Sequence, residues 1–86
     1  MHIKRINGYV SKKIDDEYIV FDINKGKVYE LNITAEYLWK YLWKPRKIME
    51  LITKIAVKFK ISPIKAEKDI HFFISEYQNK LFYLKK

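Results

Sequence analysis

The sequence predicts an α+β domain in which a three-stranded antiparallel sheet is followed by three α-helices. Three apolar segments, at residues 9–14, 17–23 and 27–31, are separated by short turn sequences, which is the pattern of a β-meander. Beyond residue 32, apolar residues recur at every third or fourth position in three successive segments, which is the period of a helix. At 86 residues and 49% hydrophobic content, the chain is sized for a single domain with one core.

The first two strands are predicted at Tyr9 to Ile14 and at Glu17 to Ile23, with a turn at Asp15-Asp16 between them. The second strand contains Tyr18-Ile19-Val20-Phe21, so apolar side chains lie on both of its faces. Such a strand fits the centre of a sheet. The third strand is therefore expected at an edge.

The third strand, Lys27 to Leu31, follows Gly26, which supplies the permissive backbone that a tight turn requires. A helix begins almost at once, because Asn32 or Thr34 can accept a hydrogen bond from a free amide of the first turn. The spacing of three and four residues predicts a core face for this helix composed of Ala35, Leu38, Trp39 and Leu42.

Two further helices follow Pro45, which ends the first one. The second helix has an apolar face and, on another side, a basic stripe of Lys47, Lys54 and Lys58, which is either a solvated surface or an anion-binding face. Ser62-Pro63 opens the third helix with a preferred N-cap and a preferred first residue. The predicted core faces are Ile48, Leu51, Ile52, Ile55 and Phe59 in the second helix, and Ala66, Ile70, Phe73, Ile74 and Tyr77 in the third. Leu81 to Leu84 is expected to return as a short packed tail after a left-handed Asn79.

Composition excludes several classes of protein. The chain has no cysteine, so disulfide frameworks and thiolate metal sites are excluded. It shows neither a signal-peptide pattern nor an apolar run long enough for a membrane span, so we expect a cytoplasmic protein with no membrane partner. The formal net charge of +8 permits an anionic partner.

Catalytic chemistry is not indicated by any motif. His2 and His71 are far apart in sequence, no serine lies in a nucleophile elbow, and Gly8 and Gly26 are too few for a phosphate-binding loop. The acidic groups at residues 15–17 and at Asp69 with Glu76 lack metal-ligand spacing. The expectation is therefore no enzyme activity, no metal and no cofactor.

The order and type of residues along most of the chain resemble the PqqD family. The resemblance is carried by Gly26, Val28-Tyr29, Leu31-Asn32, Thr34-Ala35, Leu38-Trp39, Leu42, Ala66-Glu67, Asp69-Ile70, Phe73 and Tyr77. It implies one winged-helix-like recognition domain over residues 1–86, with its core at about 9–82. Members are peptide chaperones, also called RiPP recognition elements, that bind leader peptides of ribosomally made, modified peptides. The chain departs from the family pattern in having Trp43-Lys44 where an acidic-Gly pair is usual, and in lacking a Gly around Asn79.

The resemblance also implies a mechanism, in which the leader adds as a further strand to the edge strand and lies against the third helix. An exposed edge strand offers the unpaired backbone groups that such pairing requires. The peptide-binding residues implied are Lys27, Val28, Tyr29, Glu30 and Leu31 on the strand, with Asp69, Phe73, Glu76 and Tyr77 across the groove. Tyr29 and Leu31 point to the same face, so their side chains belong either to the groove or wholly to the core, while their backbones can bind in both cases. The partners implied are a precursor peptide and a separate processing protease or modifying enzyme, in a lasso-peptide pathway or in pyrroloquinoline quinone assembly.

The alternative to this interpretation is a DNA-binding function. A winged-helix DNA-binding protein fits the charge, but arginine, the main base-reading cation, occurs only at Arg5 and Arg46, outside the third helix.

Tyr37 and Tyr41 are expected on the side of the first helix opposite its core face, and Phe72 is expected to be exposed on the third helix. These three aromatic residues either cover the core and surface without further function or form an interface for the partner enzyme.

Overall fold

A computed structural model describes residues 2–85 of the chain. In chain order the elements are β1 (His2–Arg5), β2 (Tyr9–Ile14), β3 (Glu17–Asp22), β4 (Lys27–Leu31), α1 (Ile33–Tyr41), β5 (Arg46–Lys47), α2 (Ile48–Phe59), α3 (Pro63–Tyr77) and β6 (Phe82–Lys85). The predicted α+β class, with a three-stranded antiparallel sheet and three helices, is confirmed. None of the helices within these described residues is both long and apolar enough to cross a bilayer.

The predicted meander is the sheet β2-β3-β4, in which every neighbouring pair is antiparallel. The central position of β3 and the edge position of β4 are as predicted. The register of the β3–β4 hairpin runs from Asp22 opposite Lys27 to Tyr18 opposite Leu31. Gly26, at φ +67°, closes the turn by donating its N–H to the Asp22 carbonyl at 2.8 Å.

A second three-stranded sheet, in the order β5-β1-β6, was not predicted. Its central strand is β1, where Ile3 lies opposite Arg46 of β5 and Leu84 of β6. The tail after α3 therefore returns as a strand beside the first strand of the chain, and it does not cover β4. Asn79 turns the chain with φ +65°, in the left-handed conformation predicted for it.

Both predicted helix starts are confirmed in detail. Asn32, rather than Thr34, caps α1, because its side-chain oxygen accepts a hydrogen bond from the Ala35 N–H at 2.8 Å. Ser62 caps α3 by accepting from the Lys65 N–H at 3.1 Å, and Pro63 follows as the first helical residue.

The helices and both sheets share one hydrophobic core. Its buried residues are Ile3, Tyr18, Val20, Leu31, Ala35, Leu38, Trp39, Leu42, Leu51, Ile52, Ile55, Ala66, Ile70, Phe73, Leu81 and Phe82. Phe73 of α3 stacks on Phe82 of β6 with 5.0 Å between ring centroids, which ties the last helix to the second sheet.

Within residues 2–85, one face of the β2-β3-β4 sheet is covered and the other is exposed. Tyr18 and Val20 of β3 point into the core, whereas Phe21 points to the other face. There it lies between Val10 of β2 and Val28 of β4, its direct neighbours in the register, and all three side chains are exposed. The apolar character of both faces of β3 therefore has two different outcomes, burial on one face and an apolar row in solvent on the other.

Candidate functional site

The outer edge of β4 is open. β3 pairs with one side of β4, and no strand within residues 2–85 pairs with the other. Lys27, Val28 and Glu30 are exposed, with Val28 at 59% of its full accessibility, while Tyr29 is half-buried and Leu31 is buried. The unpaired N–H and C=O groups along this edge are accessible to an extended chain.

A cleft of about 230 Å³ adjoins the end of this strand, between the start of α1 and the side of α3. The cleft is lined by Asn32, Thr34 and Ala35 at the start of α1, and by Lys65, Asp69, Phe72, Phe73 and Tyr77 on α3. Three aromatic rings thus face a strand-to-helix junction. A cleft of this kind can bury an apolar side chain whose backbone lies along β4.

Aromatic contacts join β4 to α3 beside the cleft. The Tyr29 ring meets the Tyr77 ring edge to face, with 6.4 Å between centroids, and Tyr77 in turn lies 5.4 Å from Phe73. Burial, assisted by the charge of Glu76, raises the pKa of the Tyr77 hydroxyl above its usual value. The tyrosine is therefore neutral at physiological pH, and the wall that it forms is uncharged.

Three of the polar side chains that line the cleft are already paired. Lys65 Nζ lies 2.7 Å from Asp69 Oδ1, one helical turn away on α3, and the Asn32 side-chain oxygen accepts the Ala35 N–H. The two charges of the α3 pair neutralise each other at the entrance. The cleft thus combines paired polar groups with the rings of Phe72, Phe73 and Tyr77.

The predicted peptide-binding residues divide into three groups. Asp69, Phe73 and Tyr77 line the cleft, whereas Glu76 is exposed outside its lining. The β4 side chains do not line the cleft, although Glu30 and Leu31 border a second, more open depression with Asp16, Glu17 and Glu36. The strand therefore offers mainly its backbone edge, and the acidic side chains lie at the end where α1 begins.

Sequence reasoning missed four lining residues, namely Asn32, Thr34, Ala35 and Lys65. The N-cap role of Asn32 was visible in the sequence, but its proximity to α3 depends on how the helices pack. The sequence predicts that Phe72 is exposed on α3, either without further function or as a contact for a partner. In the structure it is exposed and lines the same cleft as Phe73.

The placement of Tyr37 and Tyr41 opposite the core is wrong. Both are half-buried and pack against the core cluster, because α2 covers that side of α1. Their rings stack 6.3 Å apart, and Tyr37 also meets Phe59 of α2 at 5.8 Å. The Tyr41 hydroxyl donates a hydrogen bond to Glu50 at 2.7 Å, which raises the pKa of Tyr41 and lowers that of Glu50.

Comparisons with known proteins agree with this architecture. The structure titled "TbiB1 in Complex with the TbiA(beta) Leader Peptide" has a TM-score of 0.79 and 23% identity, covering 96% of this chain and 98% of that one. A lasso peptide synthetase B1 complexed with the leader peptide has a TM-score of 0.76 and 16% identity, with the same coverage. A comparison with curated proteins gives no match. The family model described as coenzyme PQQ synthesis protein D (PqqD) matches residues 17–81, and because this is most of the chain, the protein belongs to the PqqD family.

Proposed function

We propose that this protein binds the leader segment of a ribosomally synthesised precursor peptide and presents it to a separate modifying or processing enzyme. The observation that carries the proposal is the open edge of β4 beside an aromatic cleft on α3. Family membership supports it, as do the two structures of the same fold, both of which are complexes with a leader peptide.

Strand addition is the binding mode that this geometry supports. A leader lying antiparallel on β4 would extend the sheet by one strand and satisfy the backbone groups left open at its edge. Successive side chains of a strand point to opposite faces, so alternate leader residues would face α3 and its cleft. The others would lie on the outer face, beside Val28.

Affinity in this mode comes from two sources. Each backbone hydrogen bond contributes only about 0.5–1.5 kcal/mol net, because the free groups are hydrated before binding. Burying one large apolar side chain contributes about 1.5–3 kcal/mol, and the exposed ring of Phe72 and the half-buried ring of Tyr77 offer most of the contact area. The backbone therefore sets the register, while the side chain in the cleft distinguishes one leader from another.

We infer a recognition role without catalysis, in a lasso-peptide pathway. The lasso assignment is supported by the lasso peptide synthetase B1 fold match, whereas the family description names pyrroloquinoline quinone synthesis. A binding protein of this kind must act with a separate enzyme, so the isolated chain is expected to leave a leader-containing peptide uncleaved and unmodified. Turnover by the purified chain would contradict the proposal.

Amide chemical-shift mapping tests the binding site directly. The probes are leader peptides of lasso-peptide precursors, beginning with the TbiA(beta) leader, titrated into the ¹⁵N-labelled protein. We expect the largest shifts in residues 27–31 and 66–77, since these form the strand edge and the facing helix. Shifts concentrated instead at Lys47, Lys54 and Lys58 of α2 would show that strand addition is wrong.

Charge-reversal variants test the same site without disturbing the core. Glu30→Lys and Glu76→Lys replace exposed side chains on the two sides of the groove, so we expect altered leader affinity with an unchanged unfolding midpoint. Glu67→Lys is the matched control, because Glu67 is exposed on α3 but lies on the side of the helix opposite Glu76, away from the cleft residues Asp69 and Phe73. An equal effect of all three variants would indicate a response to net charge alone. Tight binding of duplex DNA with a steep salt dependence would favour the DNA-binding alternative.

A further inference from the structure

Most of the net charge of this protein lies in one segment. Residues 43–62 hold six basic residues and one acidic residue, a balance of +5 out of the total of +8. The basic residues are Lys44, Arg46, Lys47, Lys54, Lys58 and Lys60, and the acidic one is Glu50. By contrast, α3 has two lysines and three carboxylates, a balance of −1. The molecule is therefore electrically asymmetric, with its positive region around α2 and away from the proposed leader site.

The only carboxylate of this segment is used internally. Glu50 binds Arg46 Nη1 at 3.1 Å and accepts the Tyr41 hydroxyl, and Arg46 is nearly buried while its Nε donates to the Tyr41 carbonyl. Within the described part of the chain, the ion pairs involve Lys13, Lys40, Arg46 and Lys65, and none involves the five lysines of the segment. The positive charges of these five lysines are therefore not neutralised by an ion pair within the described residues.

Two of these lysines have defined positions beside a groove. Lys54 Nζ lies 5.3 Å from the centre of the Tyr41 ring, and Lys58 Nζ lies 5.7 Å from that of Tyr37. Cation–π attraction of this kind holds an ammonium group over a ring without neutralising its charge. The groove between α1 and α2 has a volume of about 300 Å³ and is lined by Tyr37, Thr53, Lys54, Val57 and Lys58.

Apolar side chains accompany the charges. Met49 and Val57 are 70% and 74% exposed, and they lie two helical turns apart on the same side of α2, with Thr53 between them. This ridge runs beside the Lys54 and Lys58 side. A partner that matches the surface must therefore offer apolar groups in line with the ridge and negative charges next to them.

We propose that this face of α2 is a second docking surface, which takes an acidic amphipathic helix of a protein partner. Charge complementarity selects an acidic partner, and the apolar ridge, on a 12-residue helix about 18 Å long, matches one face of another helix. Nucleic acid fits less well, since phosphates make no use of Met49 or Val57 and the one arginine of the segment is internal. The surface is separate from the β4 edge, so both can be occupied together.

The test uses a synthetic helical peptide with leucines along one face and glutamates flanking them, titrated into the ¹⁵N-labelled protein. Amide shifts are expected in residues 44–60, and the double variant Lys54→Glu with Lys58→Glu is expected to weaken binding by about tenfold or more. The matched control is Lys12→Glu with Lys25→Glu, which changes the net charge equally at exposed positions on the first sheet and its turn. The control is expected to lose less than about threefold.

Further variants separate the contribution of the charges from that of the apolar ridge. Lys54→Gln with Lys58→Gln is expected to weaken binding in the same direction without adding negative charge, so its effect does not depend on a reversed charge. The variant Met49→Ser with Val57→Ser is expected to weaken binding while the lysines are intact.

Equal loss in the α2 and control variants, equal binding of a lysine-flanked peptide, or displacement of the acidic peptide by a duplex DNA oligonucleotide would each overturn the proposal. Leader affinity, measured on the same variants, is expected to be unchanged. The proposal for this docking surface and the proposal for the leader site are therefore tested separately.

Discussion

At the scale of single residues, Asn32 has two roles at the junction between β4 and α1. Its side-chain oxygen accepts the Ala35 N–H and so satisfies one of the amides that a helix leaves free in its first turn. The same side chain lines the cleft on α3. The residue that ends the edge strand therefore also fixes the wall against which an apolar ligand side chain would pack.

Replacing this cap tests its contribution to folding. Asn32→Ala is expected to lower the free energy of unfolding by about 1 kcal/mol, because the Ala35 amide loses its partner. Urea denaturation followed by circular dichroism measures the change. Asn32→Asp is the control, since aspartate also caps helices and its charge is favourable at the helix N-terminus. An Ala variant as stable as the Asp variant would show that the cap contributes nothing.

The sequence reduced this cap to two candidates but could not choose between them. Asn32 and Thr34 both precede a helical pattern, and the choice depends on where the strand stops pairing with β3, which is a tertiary fact. Phe72 shows the same restriction. Its exposure followed from the helical period, but its place at the cleft required the position of α1 relative to α3.

At the scale of elements, β3 shows how one apolar segment meets two environments. Val20 and Phe21 are neighbours on the central strand, but Val20 is fully buried and Phe21 is exposed between Val10 and Val28. Antiparallel sheets with one covered face usually have polar residues on the other. The apolar outer row therefore does not serve the core.

A matched pair of threonine substitutions separates the two faces. Val20→Thr is expected to lower the free energy of unfolding by about 1–3 kcal/mol, because it buries a hydroxyl in the core without a hydrogen-bond partner. Phe21→Thr is expected to change the free energy of unfolding by less than about 1 kcal/mol, since threonine fits a solvent-facing strand position. Both values come from urea denaturation. Equal costs would mean that the outer row is packed as firmly as the core.

The second sheet could not be predicted from sequence patterns. β1 has a single apolar residue, Ile3, among polar neighbours, and β5 is two charged residues after a proline. Neither shows the alternation that identifies a strand. Each becomes a strand because a strand distant in sequence supplies its hydrogen-bond partners. Ile3 of β1, for example, lies opposite Leu84 of β6. The meander and the helices were predictable because their own periodicity identifies them.

At the scale of the whole molecule, the elements separate two surfaces. The open edge of β4 and the cleft on α3 lie on elements with little net charge, whereas α2 and its flanks hold the positive charge. A protein that brings a peptide to an enzyme must contact both at once. Placing the two contacts on different elements lets each be bound without displacing the other.

The first strand closes the fold by joining the two ends of the second sheet. The family model matches only residues 17–81, yet β1 lies between β5 and β6 and buries Ile3 in the common core. Arg5 adds a contact to α1, because its guanidinium lies 4.6 Å from the Trp39 ring centre and donates to the Trp39 carbonyl. Ile3→Ala is expected to cost about 2–5 kcal/mol through the cavity that it leaves.

Deleting residues 1–6 is expected to have a larger effect than Ile3→Ala. It would expose Leu81 and Phe82 and leave β5 and β6 without their central strand, and domains of this size are stable by only about 5–15 kcal/mol. We therefore expect the deletion variant to lose its cooperative urea transition, while Lys4→Ala on the same strand stays within about 0.5 kcal/mol of the parent protein. A deletion variant that unfolds cooperatively at the parent midpoint would show that β1 is not required for the fold.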